Sequence, residues 1–288
     1  MLDALTEIFL TGLPEYQLVT AKPLDGGLSN RCWHIELKHR HTGCNYQLVW
    51  RPTSSATSAF ALSRQHEYQL LTGIPAQVDS AQLAPQPFAL LDDGLLVEWV
   101  RGETATDALP SKNLIQLQVA IHQLPAPAWR LDVREKAAHY WSQIPSNVKD
   151  DTLQAIYRYF QTQSPKQWFS DTCCHHDLGW YNVIIQPGGS AKVIDWEYAA
   201  AGDPALDLAL TITSNQLDPN MAIGHYCQAI GSNEVKRWQQ AVAAWLPWCD
   251  FLAMLWFYVG CRLWQDTSYA VEAEKLKQHL ISKLQYID

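Results

Sequence analysis

Asp177, Asn182 and Asp195 stand at spacings that suit phosphoryl transfer. The run His175-His176-Asp177-Leu178-Gly179-Trp180-Tyr181-Asn182 sets a carboxylate and an amide five positions apart, close enough for one loop to present both. After Asn182 come the β-branched run Val183-Ile184-Ile185, the turn-forming Gln186-Pro187-Gly188-Gly189-Ser190, and a second run, Ala191-Lys192-Val193-Ile194, that ends on Asp195. This is the pattern of a hairpin, and a hairpin is expected to make neighbours of Asn182 and Asp195. One carboxylate is then available to take the proton of a substrate hydroxyl, while an amide oxygen and a second carboxylate suit a hard cation such as Mg²⁺. His175 is expected to support the loop by hydrogen bonding. A rival reading makes His175, His176 and Asp177 ligands of a transition metal in a hydrolase; it lacks a further ligand pair such as HExxH.

Other segments have to position these groups. Tyr16 to Thr20, Arg31 to Leu37 and Tyr46 to Arg51 read as three antiparallel strands, the first two joined by Leu24-Asp25-Gly26-Gly27-Leu28-Ser29-Asn30. Glycines there let backbone N–H groups approach a phosphate, so Gly27, Ser29 and Asn30 are candidate nucleotide contacts; a plain hairpin turn would look the same. No GxxxxGK[ST] run is present, which argues against a Walker-type loop. Arg51 closes the third strand and Glu67 lies in a helix predicted over 59–72, a pairing that suits phosphate binding by the arginine, with Arg64 and His66 as further candidates. Phe88 to Leu91 and Leu95 to Val100 form another predicted hairpin, followed by a linker at Arg101-Gly102-Glu103. From Asn113 onward the pattern is mainly helical. In Gly202-Asp203-Pro204-Ala205-Leu206-Asp207-Leu208-Ala209, Asp203 suits an N-cap and Pro204 a first helical turn. Asp207 is expected to hydrogen-bond the 175–182 loop.

Composition sets limits on partners. The chain has 288 residues, 48% of them hydrophobic, enough for a substantial core in two lobes. A net charge of -8 without a basic run argues against nucleic-acid binding and tolerates a cationic substrate. Seven scattered cysteines without a CxxC pair point to a reducing compartment, the cytoplasm, and away from a disulfide framework or a zinc site. Acids near Met1 do not read as a signal peptide. The apolar stretch Trp245 to Trp264 contains Pro247, Asp250, Gly260 and Arg262, and is expected to be a buried helix with no membrane insertion.

Taken together, the Gly26–Asn30 turn, Arg51, Glu67, the Glu98–Gly102 linker, the HxDxxxxN loop, Asp195-Trp196-Glu197 and GDPxxDLA resemble the aminoglycoside phosphotransferase and choline kinase superfamily. Asp195-Trp196-Glu197 in place of Asp-Phe-Gly, and the lack of a following Ala-Pro-Glu, separate the chain from protein kinases. Arg51 stands where many relatives have lysine. The resemblance implies an α+β, bilobal protein-kinase-like fold: a small antiparallel-sheet N-lobe over 1–100, a hinge at about 98–104, and a larger, mostly helical C-lobe over 105–288. It further implies Mg²⁺ and ATP or GTP, the base lying near Glu98 and Val100, with Asp177 as the catalytic carboxylate.

Ile194 to Ala199, Tyr140-Trp141-Ser142, Trp245-Leu246-Pro247-Trp248 and Trp256-Phe257-Tyr258 are most similar to the bacterial thiamine-kinase branch. The implied acceptor is the primary hydroxyl of a small cationic alcohol: thiamine first, choline or ethanolamine second, an aminoglycoside third. Aromatic faces attract such cations, which makes Trp196, Tyr198, Trp248 and Trp256 candidate acceptor contacts. Core packing would use the same residue types.

Overall fold

A computed structural model describes residues 2–24, 32–74, 83–106 and 109–284. The chain forms two compact units. One comprises Met1–Ser58, Leu62–Thr104 and Ile184–Glu197; the other comprises Ala59–Ala61, Ala105–Val183 and Tyr198–Asp288.

The first unit opens with α1 (Leu2–Gly12), β1 (Tyr16–Pro23), β2 (Trp33–His39) and β3 (Asn45–Pro52). It continues through α2 (Ser55–Ala59), α3 (Arg64–Gly73), β4 (Pro87–Leu91), β5 (Gly94–Glu98) and β6 (Glu103–Thr104). Five strands make one antiparallel sheet in the order β1-β2-β3-β5-β4. Alternation decides which face is dry: Ile35 and Leu37 in β2 and Leu48 and Trp50 in β3 recur at period two and are buried under Leu5 and Phe9 of α1. Phe9 meets Trp50 edge to face at 5.3 Å.

The helix predicted over 59–72 starts only at Arg64, and a separate short helix, α2, ends at Ala59. Ala61 takes a left-handed φ of 49°, and α3 starts afresh after Ser63, whose hydroxyl accepts from the His66 backbone N–H at 3.1 Å. Serine at an N-cap satisfies a donor the helix cannot, so it competes well with helix continuation. The restart places Glu67 in the first turn of α3.

The remaining chain supplies α4 (Ser111–His122), α5 (Val133–Gln143), α6 (Asp151–Thr162) and β7 (Thr172–Cys174). Then come β8 (Val183–Ile185), β9 (Ala191–Val193), β10 (Ala200–Gly202), α7 (Pro204–Ser214), α8 (Pro219–Ala229), α9 (Val235–Trp264) and α10 (Thr267–Leu284). The predicted hairpin is present as β8 and β9, joined by a turn in which the Gln186 N–H donates to the Ser190 carbonyl at 2.8 Å, with β6 on the outer side of β8.

In the second unit, β7 and β10 pair antiparallel through Cys174↔Ala200 and Cys173↔Ala201. Helix α9 packs on α5, α7, α8 and α10. By length and composition it is the one helix among the described residues apolar enough to cross a membrane. Two of its aromatic side chains stack within the core: Phe251 on Phe160 of α6 at 4.1 Å and Trp238 on Phe169 at 3.9 Å.

Candidate active site

Helix α7 holds the 175–182 loop at two points. Asp203 caps the helix through the Ala205 N–H and Pro204 occupies the first turn, where its missing N–H costs nothing. One turn on, buried Asp207 accepts the His176 backbone N–H on Oδ1 at 2.6 Å. Its Oδ2 lies 2.8 Å from His122 Nε2 and 3.2 Å from Gln118 Nε2, and His122 Nδ1 lies 2.6 Å from the Tyr226 hydroxyl. Burial pushes the Asp207 carboxyl up, but the hydrogen bond and charge from His122, helped by His176 and Gln118, outweigh it and hold the group well below the usual carboxylate range. At the other end of α7, the Asn215 side chain accepts the Trp180 N–H at 3.0 Å and donates to the Leu178 carbonyl at 3.0 Å. The loop between these anchors needs such fixing, because His176 adopts a left-handed φ of 61°. Burial lowers the pKa of His176 against the opposing pull of Asp207 and of the Tyr198 carbonyl, which lies 3.2 Å from its Nδ1.

Asp177 and Asn182 are brought together as their spacing suggested. A 3₁₀ turn over Trp180–Asn182 folds the amide back, so Asn182 Nδ2 donates to the Asp177 carbonyl at 2.9 Å and to Asp177 Oδ2 at 3.1 Å. The Tyr181 hydroxyl donates to the other carboxylate oxygen, Oδ1, at 2.7 Å.

In the first unit a buried ionic cluster surrounds Arg51. Its Nε lies 2.9 Å from Glu67 Oε1, and its Nη2 reaches Glu197 Oε2 at 3.0 Å and also pairs with Asp195. Arg64, one turn before Glu67 on α3, places Nη1 2.7 Å from Glu67 Oε2 and 2.9 Å from Glu197 Oε2. Burial opposes charge on Arg51, yet Asp195, Glu67 and Glu197 more than offset it and its pKa is raised well above the ordinary value. Burial, then Asp195, push Glu197 up against the pull of the two arginines. Asp195 itself sits at a left-handed φ of 64°. Because both guanidiniums are desolvated, removing one leaves carboxylates buried and under-compensated. Arg64→Met is therefore expected to destabilise the protein by about 3 kcal/mol. A thermal midpoint equal to that of the wild type would refute this.

The other expected site residues divide. Gly27, Ser29 and Asn30 lie outside the described residues. Glu98 spends its carboxylate on Lys192 Nζ at 2.7 Å and the Gln86 N–H at 3.0 Å, and Val100 is buried. His175, at the start of the loop, is fully buried.

The expectation of one aromatic box from Trp196, Tyr198, Trp248 and Trp256 needs correction. Trp196 is a core residue, 1% exposed, with its indole N–H on the Val193 carbonyl at 2.8 Å. Trp248 packs edge-on against Phe160 at 5.0 Å and lies eight residues before Trp256 on α9, about 12 Å along the axis. Tyr198 and Trp256 do meet, the indole N–H donating to the phenol oxygen at 3.0 Å. The ammonium of Lys136 lies 5.1 Å from the centre of the Tyr198 ring, so that face already carries a cation.

Several participants were not assigned from sequence: Gln118, His122, Asn215, Tyr181 and Glu197. Gln118 and His122 left one trace, a polar i,i+4 pair on the buried face of α4.

The comparisons with known proteins accord with this geometry. Residues 20–241 match the phosphotransferase enzyme family. A thiamine kinase of Escherichia coli O17:K52:H18 is 28% identical over 278 residues, covering 96% of this chain and 95% of that protein. The crystal structure of choline kinase LicA from Streptococcus pneumoniae superposes with a TM-score of 0.75 at 18% identity, covering 98% of this chain and 99% of that one. The GDP complex of aminoglycoside 2'-phosphotransferase-IIIa gives a TM-score of 0.61 at 15% identity, covering 97% and 98%. These likenesses establish the protein-kinase-like fold, and the family match spans most of the chain including the loop and both ends of the hairpin: the chain belongs to the phosphotransferase enzyme family and is a small-molecule kinase.

Proposed function

We propose that the protein transfers the γ-phosphate of ATP to the primary hydroxyl of a small cationic alcohol, with thiamine as the acceptor. The observation that carries the phosphotransfer reading is the Asp177–Asn182 loop, pinned by Asp207 and Asn215, in a chain whose other unit buries Arg51 between Glu67, Asp195 and Glu197. The choice of thiamine rests on the thiamine kinases matched over nearly their whole length.

In this reading Asp177 orients the acceptor hydroxyl and takes its proton as the oxygen attacks phosphorus. Arg51, fixed by Glu67, pairs with nucleotide phosphate oxygens, and the Gly27–Asn30 turn and the Glu98–Val100 segment hold the rest of the nucleotide. Asn182 and Asp195 offer an amide oxygen and a carboxylate, a hard donor set that fits Mg²⁺, which would neutralise phosphate charge when bound. Tyr198 and Trp256 are the aromatic pair retained for the acceptor, since they touch and are only half-buried, whereas Trp196 and Trp248 are buried.

Choline is the second reading, favoured by the fold likeness to choline kinase. ADP release from Mg·ATP, measured with thiamine, choline, ethanolamine and kanamycin separately, tests both. Release with thiamine alone, and thiamine monophosphate seen by mass, is the expected result. Release with choline only would move the acceptor, and no release with any of the four would refute the proposal. Repeating the assay with Mg·GTP reads the nucleotide preference.

A further inference from the structure

Tyr181 has no role in the reaction as described, yet its hydroxyl lies 2.7 Å from Asp177 Oδ1, the reach a general base needs to the proton it removes. Its place is built into the loop. A Cβ on residue 179 would lie 2.1 Å from Tyr181 Cε1 and 2.5 Å from Cζ, so the ring rests where any residue but glycine would put a side chain. The φ of Gly179 is -133°, which every residue adopts, so the requirement here is space and not backbone freedom. With Asn182 on Oδ2 and Tyr181 on Oδ1, each oxygen of Asp177 receives a hydrogen bond from its own loop. The residue as a whole is 48% exposed, so solvent reaches it beside Asp177.

We propose that Tyr181 is a cap on Asp177 that suppresses hydrolysis of the nucleotide until an acceptor arrives; this rests on the kinase reading above. The reaction to be suppressed is simple. A water oxygen would bond to the γ-phosphorus, the bond from that phosphorus to the bridging oxygen would break, ADP and inorganic phosphate would leave, and the water proton would pass to Asp177. Water and an acceptor compete for the same carboxylate oxygen, but they differ in what they bring. An acceptor exchanges its own hydroxyl for the phenol and draws on the rest of its binding energy to move the ring off Gly179. Water brings one hydrogen bond and nothing to compensate for displacing the ring. Tyr181 therefore acts on selectivity through Asp177, as a positioning residue.

The test is acceptor-free ADP release from Mg·ATP by wild type, Tyr181→Phe and Gly179→Ala. Phenylalanine keeps the ring and removes the donor, while alanine at 179 evicts the ring by a different route. A cap closed about nine-tenths of the time predicts a rise of about tenfold in acceptor-free release, together with a lower acceptor KM, in both variants. A merely structural tyrosine would lower turnover and leave acceptor-free release where it was. Acceptor-free release no faster than wild type in both variants, with acceptor turnover retained, would overturn the cap and leave the kinase reading standing. A wild type that phosphorylates no acceptor would overturn the kinase reading and the cap with it.

Discussion

Asp177→Asn will lower acceptor turnover by at least about 100-fold while nucleotide affinity stays within about twofold of wild type. Asparagine keeps the shape of the side chain and can still accept from Tyr181 or Asn182 through its one carbonyl oxygen, so the loop has little reason to refold. What it loses is basicity: an amide cannot take up the proton that the attacking hydroxyl must shed. Arg51 and its carboxylates lie in the other unit and do not depend on residue 177, hence the expected separation of turnover from nucleotide binding. Steady-state kinetics with a nucleotide-binding isotherm measure the two effects independently. Near-normal turnover in Asp177→Asn would remove this residue from the role of base.

Asp207→Asn will destabilise the protein by about 3 kcal/mol, lowering the thermal midpoint by roughly 6–12 °C. The wild-type carboxylate accepts from the His176 N–H on one oxygen and faces His122 and Gln118 with the other. An amide group must turn an NH₂ toward one of these sets, which removes the charge from the site and requires His122 or Gln118 to reorient before the bond can be remade. The pH dependence follows from the direction of the shift. A carboxyl held below its unfolded value contributes stability that is present above the ordinary carboxylate range, and loses it as pH falls through that range toward the depressed folded value. The gap between wild type and variant should be widest near neutrality and narrow progressively below about pH 5. Equal midpoints at pH 7, or a gap that widens on acidification, would contradict the role given to Asp207.

Part of this organisation was legible in the residues alone, for local reasons. Pro187-Gly188-Gly189 between two β-branched runs leaves few options besides a hairpin, and the Asp177–Asn182 spacing fits a single loop whatever surrounds it. Asp203-Pro204 likewise specifies a helix start by its own chemistry. Other features depend on partners far away in sequence. Ser63 took over as a cap because its hydroxyl found the His66 N–H, whereas hydrophobic spacing favoured one continuous helix. Nothing near Arg64 announces that Glu197, 133 positions on, will share its guanidinium with Glu67. The pairing of β7 with β10 joins two three-residue strands too short to carry a pattern. Tryptophan was the least informative signal: Trp196 and Trp256 look alike in sequence, and only the first is sealed in a core. The 26–30 turn stays an expectation, lying outside the described residues.

The chain leaves the second unit in the middle of β8, between Val183 and Ile184, and returns to it at Tyr198. The fourteen residues in between bring Asp195 and Glu197, two of the three carboxylates that neutralise Arg51 and Arg64. A fragment ending at Thr104 would retain both guanidiniums with Glu67 as their sole counter-charge from this cluster, and β6 would lose its partner strand. The N-terminal hundred residues are thus not an autonomous module. Swapping them between relatives, or expressing them alone, separates an acid–base balance that the gene writes in two distant places, and the exchangeable piece is instead 1–104 together with 184–197.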